Sequence, residues 1–178
     1  TRMLAGAADN TVCYYNKRVD KMGSHASQLA KTVCLFSPIQ FLYWYDKAPA
    51  APIKNDGLWG DTKTIGNEPE LEFFNNVPTT WDETKVLEAE IGEIAIIARR
   101  KDNDWFVGGI NGTTAREIEL DFSFLESNAK YIAKLYTDDD TVNTRTKVKI
   151  EEIKLTNISN LNLKIKSNNG FAMQITKL

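Results

Sequence analysis

The stretch VPTTWDETKVLE, Val77 to Glu88, sets Trp81, Asp82 and Glu83 side by side. An indole beside two carboxylates is a residue set from which acid–base chemistry is built. A working acid–base pair needs two carboxylates that face each other across the reacting bond. Asp82 and Glu83 are neighbours in a strand-like stretch, where successive side chains point to opposite faces, so they do not form such a pair with each other. The competing reading is architectural: Trp81 fills a seam between two cores, while the two acids satisfy exposed backbone N–H groups or pair with Lys or Arg.

The remaining candidates divide in the same way. His25 is the sole histidine. It falls at the start of a helical pattern with no nucleophile-elbow sequence anywhere, which favours a helix-entry role over a catalytic triad. Asp138, Asp139 and Asp140 lack the alternating oxygen donors, glycine and closing acid of a calcium loop and are expected to form a solvated turn. Gly108 and Gly109 have no phosphate-cradle spacing and read as a bulge or a close strand crossing. Cys13 and Cys34 make neither a disulfide framework nor a zinc site and are expected to be small buried groups. No metal site is expected within the chain. Gln40, Tyr43, Trp44, Tyr45 and Asp46 combine flat faces with hydrogen-bonding groups, the mixture used in sugar pockets; alternatively, these aromatics cap the mouth of a barrel.

The elements that position these residues follow from periodicity. Ala26, Leu29, Ala30, Val33 and Cys34 form a helical stripe over about residues 25–35, with Ser24 as N-cap. FSPIQFLYWYD, Phe36 to Asp46, reads as a buried strand, and residues 48–66 as a loop. Pro69 opens a short helix in EPELEFFNN, with Glu68, Glu70 and Glu72 near its positive end. All five prolines fall at or before residue 78. Beyond it the apolar period is two: EIAIIARR and DWFVGGI flank a hairpin turn at Lys101 to Asn103, and REIELDF, KYIAKLY, KVKIEEIKL, LNLKIKS and FAMQITKL follow. The expected fold is mixed α and β: terminal strands and helices of a (β/α)8 barrel in residues 1–78, then an antiparallel β-sandwich in residues 79–178.

With 22 basic and 24 acidic residues and no basic patch, the chain is not expected to bind nucleic acid. Its longest mostly apolar stretch, Thr32 to Tyr45, falls short of the ~20 residues a membrane-spanning helix needs. The start at Thr1, without a Met or a signal pattern, is what a processed or excised polypeptide would show.

TRMLAGAADNTVCYY, HASQLAKTVCLFSPIQFLYWYD and VPTTWDETKVLEAEIGEIAIIARRKDNDWFVGGINGTTAREIELDFSFL resemble, in order and spacing, the closing segments of glycoside hydrolase family 97, over Thr1 to about Asp138. The resemblance implies a parent α-glucosidase or α-galactosidase acting on α-linked oligosaccharides. It also implies a catalytic barrel holding a calcium ion, and a C-terminal sandwich associated with homo-oligomerisation. A periplasmic or secreted location is implied as well. The family's catalytic carboxylates lie upstream of the segment matching Thr1, so no catalytic residue is expected here and the isolated 178-residue chain is expected to be inactive. Asp9, Gln40, Tyr43, Trp44 and Asp46 are the expected substrate-side residues, in loops or strand ends facing the barrel mouth. Where the family commonly carries Gly-Pro-Met-Asp-Tyr-Thr-Pro, this chain has Gly6 to Val12 with Asp9 retained and both prolines and the tyrosine lost; of the family's paired histidines only His25 remains, with Ser27 in the other place. A second reading, from a different class, is a non-catalytic sandwich module for oligomerisation or carbohydrate binding.

Overall fold

The computed structural model describes residues 10–14, 19, 23–44 and 68–178. Its frame is a six-stranded antiparallel sheet in the order β3-β4-β5-β10-β7-β8, made of β3 (Glu83–Glu90), β4 (Ile94–Lys101), β5 (Asp104–Asn111), β7 (Tyr131–Asp138), β8 (Val148–Leu155) and β10 (Gly170–Lys177). The antiparallel pair β6 (Arg116–Asp121) and β9 (Asn160–Ile165) forms the second sheet. Every pairing in these two sheets is antiparallel, as the period-two pattern predicts.

The main core lies between the two sheets. Ile118 and Leu120 of β6, followed by Phe122, meet Ile96, Val107, Ala133, Leu135, Met173 and Ile175 of the larger sheet. Turns fix the register: Asp102 (φ 52°) and Asn168 (φ 59°) take left-handed conformations that Asp and Asn tolerate better than most residues.

A third layer covers the opposite face of the large sheet. Helix α1 (His25–Cys34) begins in a reciprocal capping box, in which Ser24 Oγ accepts from Ser27 N–H and Ser27 Oγ accepts from Ser24 N–H, both at 3.1 Å. It connects β1 (Asn10–Tyr14) to β2 (Gln40–Trp44), which run parallel. Helix α2 (Leu71–Asn76) completes the layer. Leu29, Val33 and Phe73 pack there on Phe106, Tyr136 and Ala172, so a second core joins residues on both sides of position 78.

Several expectations need correction. In the described part of the segment expected as a buried strand, residues 36–44, pairing starts only at Gln40, and Phe41 and Leu42 are 54% and 39% exposed; Tyr45 and Asp46 lie outside the described residues. Gly108 and Gly109 are not a bulge, since the β4–β5 and β5–β10 registers run through them unbroken. Instead α1 lies so close to the sheet that a Cβ on Gly108 would stand 2.6 Å from the Ala30 carbonyl oxygen, and one on Gly109 would meet the Phe171 ring. The bulge falls in β3, between Val86 and Glu88. Strands β5 and β10 are buried on both faces rather than one, because α1 covers what would otherwise be the solvent side.

Candidate functional site at the seam

The seam between the α/β layer and the large sheet concentrates polar chemistry. Glu70, read from sequence as one of three acids at a helix terminus, is fully buried in the second core. Its Oε1 accepts from the Tyr14 hydroxyl at 3.0 Å, which ties β1 to α2, and Thr146 adds a further hydrogen bond. Burial raises the Glu70 pKa against the pull of these donors.

Asp138 also departs from the expected solvated turn. Its Oδ1 accepts from Ala26 N–H at 3.1 Å, so a carboxylate at the end of β7 caps an orphan N–H in the first turn of α1. The residue is only partly buried, but Oδ2 is out of reach of solvent. Desolvation pushes its pKa up to about 6, opposed by the Ser24 hydroxyl, the Ala26 and Gly170 backbones and the charge of Lys166. Asp139 and Asp140 do behave as turn acids, bound to Thr141 and to Lys166.

The folded-state pKa of Asp138 lies above its unfolded value, so the native chain holds the proton more tightly. Stability is then greatest below the unfolded pKa and falls as pH rises from about 4 to about 6. Asp138→Asn keeps an acceptor for Ala26 and removes the titration. Comparing the urea midpoints of wild type and variant, we expect the gap to shift in the variant's favour by roughly 1 to 2 kcal/mol across that window, allowing for partial exposure. Parallel pH curves would contradict the desolvation of this carboxyl at the end of β7.

Trp81, half-buried, packs edge-on against Phe106 with ring centroids 5.7 Å apart. Arg99, only 7% exposed, sets its guanidinium over Trp81 at 5.9 Å and over Phe36 at 5.5 Å, and donates to Thr84 Oγ1 at 3.3 Å. Asp82 accepts from the Asp102 N–H at 2.7 Å and pairs with Lys101 at 3.0 Å, which closes the β4–β5 turn. Glu83 pairs with Lys85 at 3.1 Å and Arg100 at 3.2 Å. These contacts hold both carboxyls below their ordinary range. Asp82 is thus engaged with a cation and a backbone N–H, and Glu83 with two cations.

The other sequence candidates are scattered. Gln40 is spent locally: its Nε2 donates to the Thr32 carbonyl at 2.9 Å and its Oε1 receives Asn10 Nδ2 at 3.5 Å. Tyr43 and Trp44 stand at the end of β2, and Asp9 and Asp46 lie outside the described residues. His25 is buried edge-on to Tyr14, centroids 4.9 Å apart. Cys34 Sγ approaches the Gly108 carbonyl at 3.2 Å, and burial pushes the thiol up to about 12 despite the neighbouring Arg99, so it is no nucleophile at neutral pH. Sequence reasoning missed Glu70, Arg99 and Asp138 as seam residues. The one available signal was an acid within a mostly apolar segment, as in ELEFF.

Such an arrangement defines an antiparallel β-sandwich domain locked to a parallel βαβ unit. Residues 80–176 match the family described as glycosyl-hydrolase 97 C-terminal, oligomerisation, and the chain belongs to that family. It is 37% identical over 110 residues to a retaining alpha-galactosidase of Bacteroides thetaiotaomicron, covering 61% of this chain and 16% of that protein. A probable retaining alpha-galactosidase of Streptomyces bingchenggensis is 26% identical over 122 residues, 67% of this chain and 17% of that one. The chain therefore spans under a fifth of either relative's length. Among solved structures, a glycoside hydrolase family 97 enzyme from Pseudoalteromonas sp. strain K8, in complex with panose, superposes with a TM-score of 0.69 at 27% identity, over 88% of this chain and 23% of that one.

Proposed function

We propose that this chain is the C-terminal segment of a family 97 glycoside hydrolase that cleaves α-galactosidic or α-glucosidic bonds in oligosaccharides. Residues 1–78 supply the end of its (β/α)8 barrel, and residues 79–178 form the sandwich through which copies of the protein associate. The observation that carries this reading is the parallel β1-α1-β2 unit seated on the sheet, with Ile39, Phe41 and Leu42 of its β2 side exposed. Parallel strands are ordinarily covered on both faces, so exposed apolar residues on such a pair are what an interrupted barrel would present. The α-galactosidase name of the Bacteroides relative supports the galactoside branch.

In this reading Trp81, Asp82 and Glu83 serve as the joint between barrel and sandwich. Asp9, Gln40, Tyr43, Trp44 and Asp46 are the substrate-side residues, with Gln40 also holding β1 and β2 together. The calcium ion of the parent enzyme finds no fitting donor set here: among the described residues no three His, Cys, Asp or Glu side chains converge. Asp138 is occupied by α1 and Asp140 by Lys166, so in this reading the ion belongs to the upstream barrel. A periplasmic or secreted location belongs to the same proposal.

The expected result is that the purified 178-residue chain turns over neither nitrophenyl α-galactoside nor nitrophenyl α-glucoside. Hydrolysis that a single carboxylate substitution abolishes would overturn the assignment of the catalytic groups to an upstream segment.

A further inference from the structure

Building on the proposal that copies of this chain associate, we infer that they meet at the β3–β4 end of the large sheet, each copy seating its Ile91 in an apolar groove of the other. Between residues 80 and 176 the large apolar side chains left exposed are Val86, Ile91 and Ile158, and two of these lie on β3 or on the turn that leaves it. Ile91 is 103% exposed, so nothing in the fold of a single copy shelters it.

Immediately beside it runs a groove of about 500 Å³, walled by Cys34 and Leu35 at the end of α1 and by Ile94, Ile97 and Ile110 of β4 and β5, with Ile91 on its rim. A protruding apolar residue and an apolar recess on one patch are the two halves of a self-complementary contact. A two-fold axis brings each knob to the other copy's groove and closes the assembly at two. The partner is a second copy because the family matched over residues 80–176 is described by oligomerisation.

Backbone pairing of two β3 edges is a poorer route. The bulge between Val86 and Glu88 interrupts the ladder, and Glu83, Lys85, Glu88 and Glu90 stud the strand, both of which guard an edge against sheet extension. The contact is therefore made by side chains. Glu88 and Glu90 precede Ile91 in both copies, whereas Glu93 is held by Arg116 at 2.7 Å. Like charges near the axis make the association strengthen as salt is raised, the opposite of a contact built on ion pairs.

Sedimentation of the wild-type chain, Ile91→Asp and Ile158→Asp tests this. Wild type should self-associate, Ile91→Asp should weaken association at least about tenfold with an unchanged melting midpoint, and Ile158→Asp should match wild type. Association untouched by Ile91→Asp, or weakened equally by Ile158→Asp, would overturn the assigned surface and leave the association reading standing. A monomeric wild type would overturn the association reading itself, and this surface with it.

Discussion

Gly108→Val is expected to force α1 off the sheet and lower stability by roughly 3 kcal/mol or more. The cause is a side-chain carbon driven against helix backbone. The Ala30 carbonyl oxygen would lie 2.6 Å from the new Cβ, and Val33 Cβ and Cys34 Sγ would lie at 3.0 and 3.1 Å. A flexible side chain could swing aside, but a helix carbonyl moves only if the helix moves. Displacing α1 also separates Asp138 from Ala26 N–H, so packing and capping are lost together. Gly108→Ala carries the same first contact without the branches and should fall between wild type and valine. Urea unfolding followed by tryptophan fluorescence reads the series; a valine variant with the wild-type midpoint would show that α1 does not sit against β5.

Phe73→Ala should cost a similar amount, about 3 to 5 kcal/mol. Phe73 has no exposed surface and is the part of α2 that enters the second core, edge-on to Tyr136 with centroids 5.1 Å apart and to Phe106 at 6.0 Å. Removing the ring leaves a cavity beside buried Glu70, whose hydrogen bond to Tyr14 depends on α2 staying in place. Phe73→Leu refills most of that volume and should recover much of the loss. Thermal unfolding separates the cases: an alanine variant melting like wild type would mean that α2 lies on the surface and not in a core.

Gly108 and Phe73 lie in the part of the molecule that periodicity describes least well, the contact of the α/β layer with the large sheet. Alternation in EIAIIARR and REIELDF made the strands, their inward faces and the Lys101–Asn103 hairpin readable, because those features depend on neighbours in sequence. Strand order was not readable. Placing β10 between β5 and β7 is a long-range choice that no local pattern encodes. The helical stripe of α1 and its Ser24 cap were equally legible, yet the surface that receives it was not. VGGI carried that information, since glycines on a central strand permit close approach, but the sequence does not say whether a strand or a helix approaches.

The site shows the same division. Trp81, Asp82 and Glu83 stood out as adjacent residue types, and the structure engages them with Phe106, Lys101, Arg100 and the Asp102 backbone. Glu70 and Asp138 were invisible as seam residues because their partners, Tyr14 and Ala26, are 56 and 112 residues away. A helix-terminal acid and an acidic turn are the right readings of those segments in isolation. Tertiary contacts overrode them by burying one carboxyl in a core and spending the other on a helix cap.

The sandwich and the βαβ unit share the second core and should therefore open as one folded body. Hydrogen exchange under native conditions tests this most directly. The amides of Ala30 and Val33 in α1 should exchange with the same opening free energy as those of Val107 in β5 and Met173 in β10, reporting a single cooperative unit. If the α1 amides exchanged orders of magnitude faster while β5 and β10 stayed protected, the α/β layer would be a loosely held appendage and the account of the seam would be wrong.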